Sequence, residues 1–125
     1  MRIHLGGSSR QSLVIARGKL DAAVKGATAA SASELSSQLF FAADVLSKNT
    51  SIRRAFADPS RDAASKGALV KDLFAKTLAA TALEILTDVA TLRWSAAGDL
   101  VHVLEQLAIE AEASAANINN ELEAL

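Results

Sequence analysis

The chain has 125 residues, enough for a single domain that buries roughly two thirds of the surface its unfolded form exposes. Half of the residues are apolar but only 4% are aromatic, and alanine is abundant, which suits closely packed helices better than a sheet built from branched and aromatic side chains. With no cysteine, disulfides, thiolate metal sites and cysteine nucleophiles are excluded and a reducing compartment fits; the net charge of −1 hides a basic start and an acidic end.

Arg2, Arg10, Arg17, Lys19 and Lys25 are opposed only by Asp21 before position 30, whereas no lysine or arginine follows Ser95. Asp99, Glu105, Glu110, Glu112, Glu121 and Glu123 therefore argue against a nucleic-acid ligand for that half, and solvated acidic faces pairing with the basic first helix are the simpler expectation. The opening residues lack the apolar run of a signal peptide, and no stretch approaches the roughly 20 apolar residues of a membrane span. Membrane association would then go through partners rather than by direct insertion.

Residues 1–8 read as a flexible lead, whose Gly6-Gly7 pair lacks the lysine and spacing of a phosphate loop. A first helix is expected over residues 9–26, with Leu13, Ala16, Leu20, Ala23, Val24 and Ala27 on a core stripe. Ile15, Gly18, Ala22 and Gly26 form a second lane nearly opposite. Glycine in a helix interior costs about 1 kcal/mol relative to alanine, so this lane calls for a reason such as close approach of another helix.

Ser31-x-x-Glu34 has capping-box spacing and is expected to start the second helix, which ends near Ser47. Leu35, Leu39, Ala42 and Leu46 line one side while Phe40, Phe41 and Val45 spread apolar surface around much of the rest, predicting the central, most buried helix. Asn49-Thr50-Ser51 marks a stop and restart before a short helix over residues 52–57, which Asp58-Pro59 terminates. Ser60 or Asp62 then caps a fourth helix that turns Leu69, Val70, Leu73 and Phe74 inward and Lys66, Lys71 and Lys76 outward.

The fifth helix, residues 80–94, has two apolar lobes, Ile85, Val89 and Leu92 on one and Leu83, Leu86, Ala90 and Trp94 on the other. Only Glu84, Thr87, Asp88 and Thr91 make a polar strip, so this helix either lies inside the bundle or offers a lobe to a partner. A sixth helix from Ser95 carries Leu100, Val103, Leu104, Leu107 and Ala111 toward the core. The pattern fades into residues 116–125, which read as the start of a following segment that is cut short. The predicted fold is all-α, a bundle of six antiparallel helices with short connections over residues 9–115.

No catalytic constellation is visible. His4 and His102 lie far apart without metal-ligand spacing, the serines have no base beside them, and the acidic residues of the sixth helix read as a solvated face rather than paired acids. No metal or cofactor is expected. The surfaces that invite a partner are the small-residue lane of helix one and the spare lobe of helix five; the bland alternative is that the two pack on each other.

The order of motifs is more specific than any one of them: Leu46-Ser47, Ile52-Arg53-Arg54-Ala55-Phe56-Ala57, Asp58-Pro59, Lys66, Leu69-Val70-x-x-Leu73-Phe74, Leu83-Glu84-Ile85-Leu86 and Arg93-Trp94-Ser95. Over about residues 9–113 this resembles the amino-terminal domain of the delta subunit of F-type ATP synthase, the bacterial counterpart of the oligomycin-sensitivity-conferring protein. The Arg93-Trp94-Ser95 turn followed by Asp99-Leu100 is similar to the actinobacterial branch.

The resemblance implies a non-catalytic stator component at the cytoplasmic face of the membrane, tying the catalytic head to the peripheral stalk. It further implies a groove between helices one and five that receives the amphipathic amino-terminal helix of an alpha subunit, here Ile15, Gly18, Ala22, Leu83, Leu86, Ala90 and Trp94. Packing around Phe40, Phe41, Phe56 and Phe74 would hold that groove open. Contact with the stalk b subunit would belong to a carboxy-terminal region that this sequence lacks. A generic helical adaptor fits the amphipathic pattern as well, and a small helical enzyme is a third reading.

Overall fold

The computed structural model describes the backbone of residues 6–124 and the side chains of residues 6–120. Within them the chain forms six helices and no strands: α1 (Gly7–Val24), α2 (Ala29–Lys48), α3 (Thr50–Ala57), α4 (Ala63–Phe74), α5 (Ala80–Ala90) and α6 (Ala97–Ala124). The all-α bundle expected from composition and periodicity is therefore the fold.

The helices start and stop where local chemistry dictates. Gly26, the only described residue with a positive φ (77°), lets the chain turn after α1. Thr28 caps α2, its hydroxyl accepting from the Ser31 amide at 3.0 Å while the Ser31 hydroxyl accepts from the Thr28 amide at 3.1 Å. The box thus lies three residues upstream of the expected Ser31-x-x-Glu34, because Thr28 is the first residue after Gly26 whose side chain can cap. Asp62 caps α4 through the Ser65 amide at 2.7 Å, and Asp58 folds over the Ser60 amide at 2.9 Å, so the Asp58-Pro59 corner is closed by its own side chains. These hydrogen bonds hold both carboxyls below the usual aspartate range.

α2 and α6 form the main axis of the bundle and run antiparallel. Ser36 Oγ, buried, donates to the Ala108 carbonyl at 2.6 Å, and Ser33 Oγ reaches Glu112 one turn along at 3.0 Å. α1 lies parallel to α6 rather than antiparallel: Ser9 Oγ donates to Asp99 Oδ2 at 2.7 Å near one end and Arg17 Nε pairs with Glu110 at 3.1 Å further along both helices. The latter contact is the expected pairing of the basic first helix with the acidic sixth.

The core is one cluster drawn from all six helices, with Leu20, Leu39, Leu46, Phe56, Val70, Phe74, Leu86, Val89, Leu100, Leu104 and Leu107 almost wholly buried. Phe56 and Phe74 meet edge to face with ring centroids 6.4 Å apart. α5 packs against α1, α2, α4 and α6. It, not α2, is the helix with most of its circumference covered. Phe40 and Phe41 are 42% and 45% exposed, so α2 has an outer face and these two rings do not join Phe56 and Phe74 in bracing the interior.

Other expectations shift with the register of packing. Leu73 is exposed, and Lys66, expected outward, is only 4% exposed with no carboxylate within ion-pair distance. α5 ends at Ala90 rather than Trp94, and α6 begins at Ala97 and continues through residue 117 without the break expected there. Of the expected flexible lead, residues 1–5 lie outside the described residues, whereas Gly7 and Ser8 already belong to α1. His4 also lies outside.

Burial pushes the Lys66 ammonium below its ordinary value of 10.5, with Asp58 opposing and Arg61 adding to the shift. Because the folded value lies below the unfolded one, the charged form is penalised in the native state at neutral pH. Stability should rise with pH between the two values, where the unfolded chain binds more protons. Lys66→Met is expected to stabilise the fold at pH 7 by of order 1 kcal/mol and to flatten the alkaline rise in thermal midpoint. An unchanged rise in the variant would assign it to another group.

Candidate functional site

α1 and α5 lie antiparallel and converge unequally. At one end they are tied through the α5–α6 connection: Ser12 Oγ donates to the Arg93 carbonyl, the Ser95 amide donates to Ser9 Oγ at 2.7 Å, and Ser9 N approaches Ser95 Oγ at 3.4 Å. Gly6 passes so close that a Cβ there would sit 2.6 Å from Ser95 Oγ. Toward the other end the helices part around a cleft of about 400 Å³, lined by Lys19, Ala22 and Ala23 from α1 and Thr81, Glu84, Ile85 and Asp88 from α5.

The α1 residues expected at a partner surface are where the sequence placed them. Ile15 is 48% exposed, Gly18 and Ala22 are exposed, and a Cβ added at Gly18 meets nothing within 4 Å. Val14, 70% exposed, extends this lane one step further. Val14, Gly18 and Ala22 follow at steps of four residues, so the lane is a continuous apolar strip reaching one wall of the cleft.

The α5 residues are placed differently. Leu86 and Ala90 are fully buried, Trp94 is 8% exposed with Nε1 donating to the Val89 carbonyl at 3.0 Å, and Leu83 packs half-buried against the core. The lobe that looked spare is needed because α5 has neighbours on four sides. Its outward face is instead Thr81, Glu84 and Asp88, at steps of three and four residues, while Ile85, 3% exposed and part of the core, lies at the floor of the cleft. Glu84 and Asp88 belong to the polar strip of α5, which thus forms this wall. The signal available was their register opposite the cation Lys19.

Charge is separated across the cleft, with a lysine on one wall and two carboxylates on the other. The two ion pairs among the described residues are Arg17–Glu110 and Lys48–Asp44, so Lys19, Glu84 and Asp88 form no ion pair with one another or with any other described side chain. An apolar strip bordered by such charges is equipped to hold another amphipathic helix by its side. The class of protein that the fold defines is an all-α helical bundle with an open cleft between its first and fifth helices.

No family model matches the chain. Individual relatives do: it is 34% identical over 110 residues to ATP synthase subunit delta of Salinispora arenicola, 33% over 117 residues to that of Streptomyces coelicolor and 33% over 119 residues to that of Kineococcus radiotolerans. These alignments take in 88%, 94% and 95% of this chain but 40%, 42% and 43% of the relatives, so the chain spans about two fifths of their length. It is homologous to the amino-terminal domain of actinobacterial ATP synthase delta subunits.

Proposed function

We propose that this chain is a non-catalytic stator domain of an F-type ATP synthase that binds the amino-terminal helix of an alpha subunit along α1, over the cleft that α1 makes with α5. The observation that carries this reading is the exposed strip of Val14, Ile15, Gly18 and Ala22 beside an open cleft, on a domain homologous to subunit delta. An amphipathic helix laid there would cover the apolar strip and leave its polar face in water. The binding wall on α5 is revised to Thr81, Glu84 and Asp88, with Ile85, Leu86, Ala90 and Trp94 in the core behind it.

The work of such a domain is mechanical: it must resist displacement while the head turns over substrate. Dense packing of α2 against α6 and of α5 among four neighbours suits that demand. Among the described residues no helix is long and apolar enough to cross a membrane, so placement at the cytoplasmic face would be peripheral and through the complex. Contact with the stalk b subunit belongs, on this reading, to a region of the relatives beyond the aligned part.

Titrating isotope-labelled protein with a synthetic peptide of the alpha amino terminus tests the reading. Amide resonances of Ile15, Gly18, Lys19, Ala22, Glu84 and Asp88 should shift and saturate, while those of Phe40 and Asp44 on α2 stay still. Saturating peptide with no movement in α1 or α5 would refute it.

A further inference from the structure

The unpaired charges facing one another across the α1–α5 cleft carry a statement about the occupant that its apolar strip alone does not. Lys19 stands on α1 between the exposed strip and the cleft, and Glu84 and Asp88 stand one turn apart on the opposing wall, with Ala22, Ala23 and Ile85 between them. The cleft keeps them more than 4 Å apart, and none of the three pairs with another described side chain, so their charges face the cleft.

We infer that the occupant is a helix with split edges, carrying a carboxylate where it passes over α1 and a lysine or arginine where it passes over α5, with an apolar stripe between. This rests on the helix-docking reading above and adds to it the direction in which the occupant runs along the cleft. A helix turned end for end, or one with both edges acidic, would set like charges against a wall, and such juxtapositions are strongly discriminated against at interfaces. Arg10 on α1 and Lys25 just after it are exposed cations while Arg17 is engaged by Glu110, so exposed cations on this side outnumber Asp21, the one exposed carboxylate of α1. α5 offers no cation of its own, its sequence from Ala80 to Ala90 holding only Glu84 and Asp88 as charged residues.

The test uses the alpha amino-terminal peptide and two edge-reversed versions of it, titrated against the full chain and against Lys19→Glu, Glu84→Lys and Ile15→Asp. Lys19→Glu and Glu84→Lys should each weaken the natural peptide about tenfold at low salt, a difference that shrinks in high salt. Lys19→Glu should be rescued by the peptide whose acidic edge is made basic, and Glu84→Lys by the peptide whose basic edge is made acidic. If both charge variants bind like the parent while Ile15→Asp does not bind, the charge inference is overturned and the docking reading stands. If Ile15→Asp binds as tightly as the parent, or the parent does not bind, the docking site itself is wrong and the inference falls with it. Tighter binding of the natural peptide by both Lys19→Glu and Glu84→Lys would show the opposite orientation and overturn the inference.

Discussion

Truncating Phe56 to alanine should lower stability by about 3–5 kcal/mol, a large part of what a domain of this size has to lose. Phe56 is fully buried, and it supplies α3's only buried side chain. Its ring meets Phe74 of α4 at 6.4 Å and an interplanar angle of 61°, an edge-to-face contact that contributes about 0.5–1.5 kcal/mol beyond its area. Eight residues of helix cannot stand alone, so removing that ring should release α3 from the bundle as well as leave a cavity. Urea unfolding of Phe56→Ala beside Phe40→Ala measures the contrast. Phe40 lies 42% exposed, and equal losses from the two truncations would show that the outer face of α2 is core after all.

The second large effect is expected at Gly18, with opposite signs for folding and binding. Since nothing lies within 4 Å of a Cβ built there, Gly18→Leu should fold and gain about 0.5–1 kcal/mol from helix propensity. The same leucine would stand on the strip that the alpha helix has to approach closely, so peptide affinity should fall by about tenfold or more, the size of a steric loss of 1.4 kcal/mol. Thermal unfolding and peptide titration on one sample separate the two. A variant that melts lower than the parent would place this lane in the interior, and one that melts higher yet binds normally would remove Gly18 from the docking surface.

How far the sequence could be read depended on whether one helix or several decided the outcome. α1 was legible on both sides, because its core stripe of Ala16 and Leu20 and its exposed lane of Ile15, Gly18 and Ala22 are set by its own periodicity. Caps and breakers were legible too: Asp62 starts α4 and Asp58-Pro59 ends α3. The Thr28–Ser31 box was missed because serine at the third helical position can answer the cap with its hydroxyl, a role the pattern assigned to glutamate.

What a single helix cannot report is the number of its neighbours. α2 and α5 are both apolar around much of their surface, yet α5 is enclosed by four helices and α2 keeps Phe40 and Phe41 at the surface. The error in assigning Leu86, Ala90 and Trp94 to a partner and the error in burying Phe40 and Phe41 are therefore the same one. Lys66 belongs to a third kind, a long side chain whose stem is drawn inward by the packing of α4 while nothing in the local pattern distinguishes it from Lys71.

The continuity of α6 bears on how force would pass through the domain. Its 28 residues span about 42 Å, against about 30 Å for the 20 residues of α2 that lie along it. Between Asp99 and Ala124 there is no glycine or proline, the usual places where a helix yields to bending. A push on the α1 face would reach α6 through Ser9–Asp99 and Arg17–Glu110, two points spaced along its length, so it would tilt the rod as a lever instead of being absorbed at a hinge.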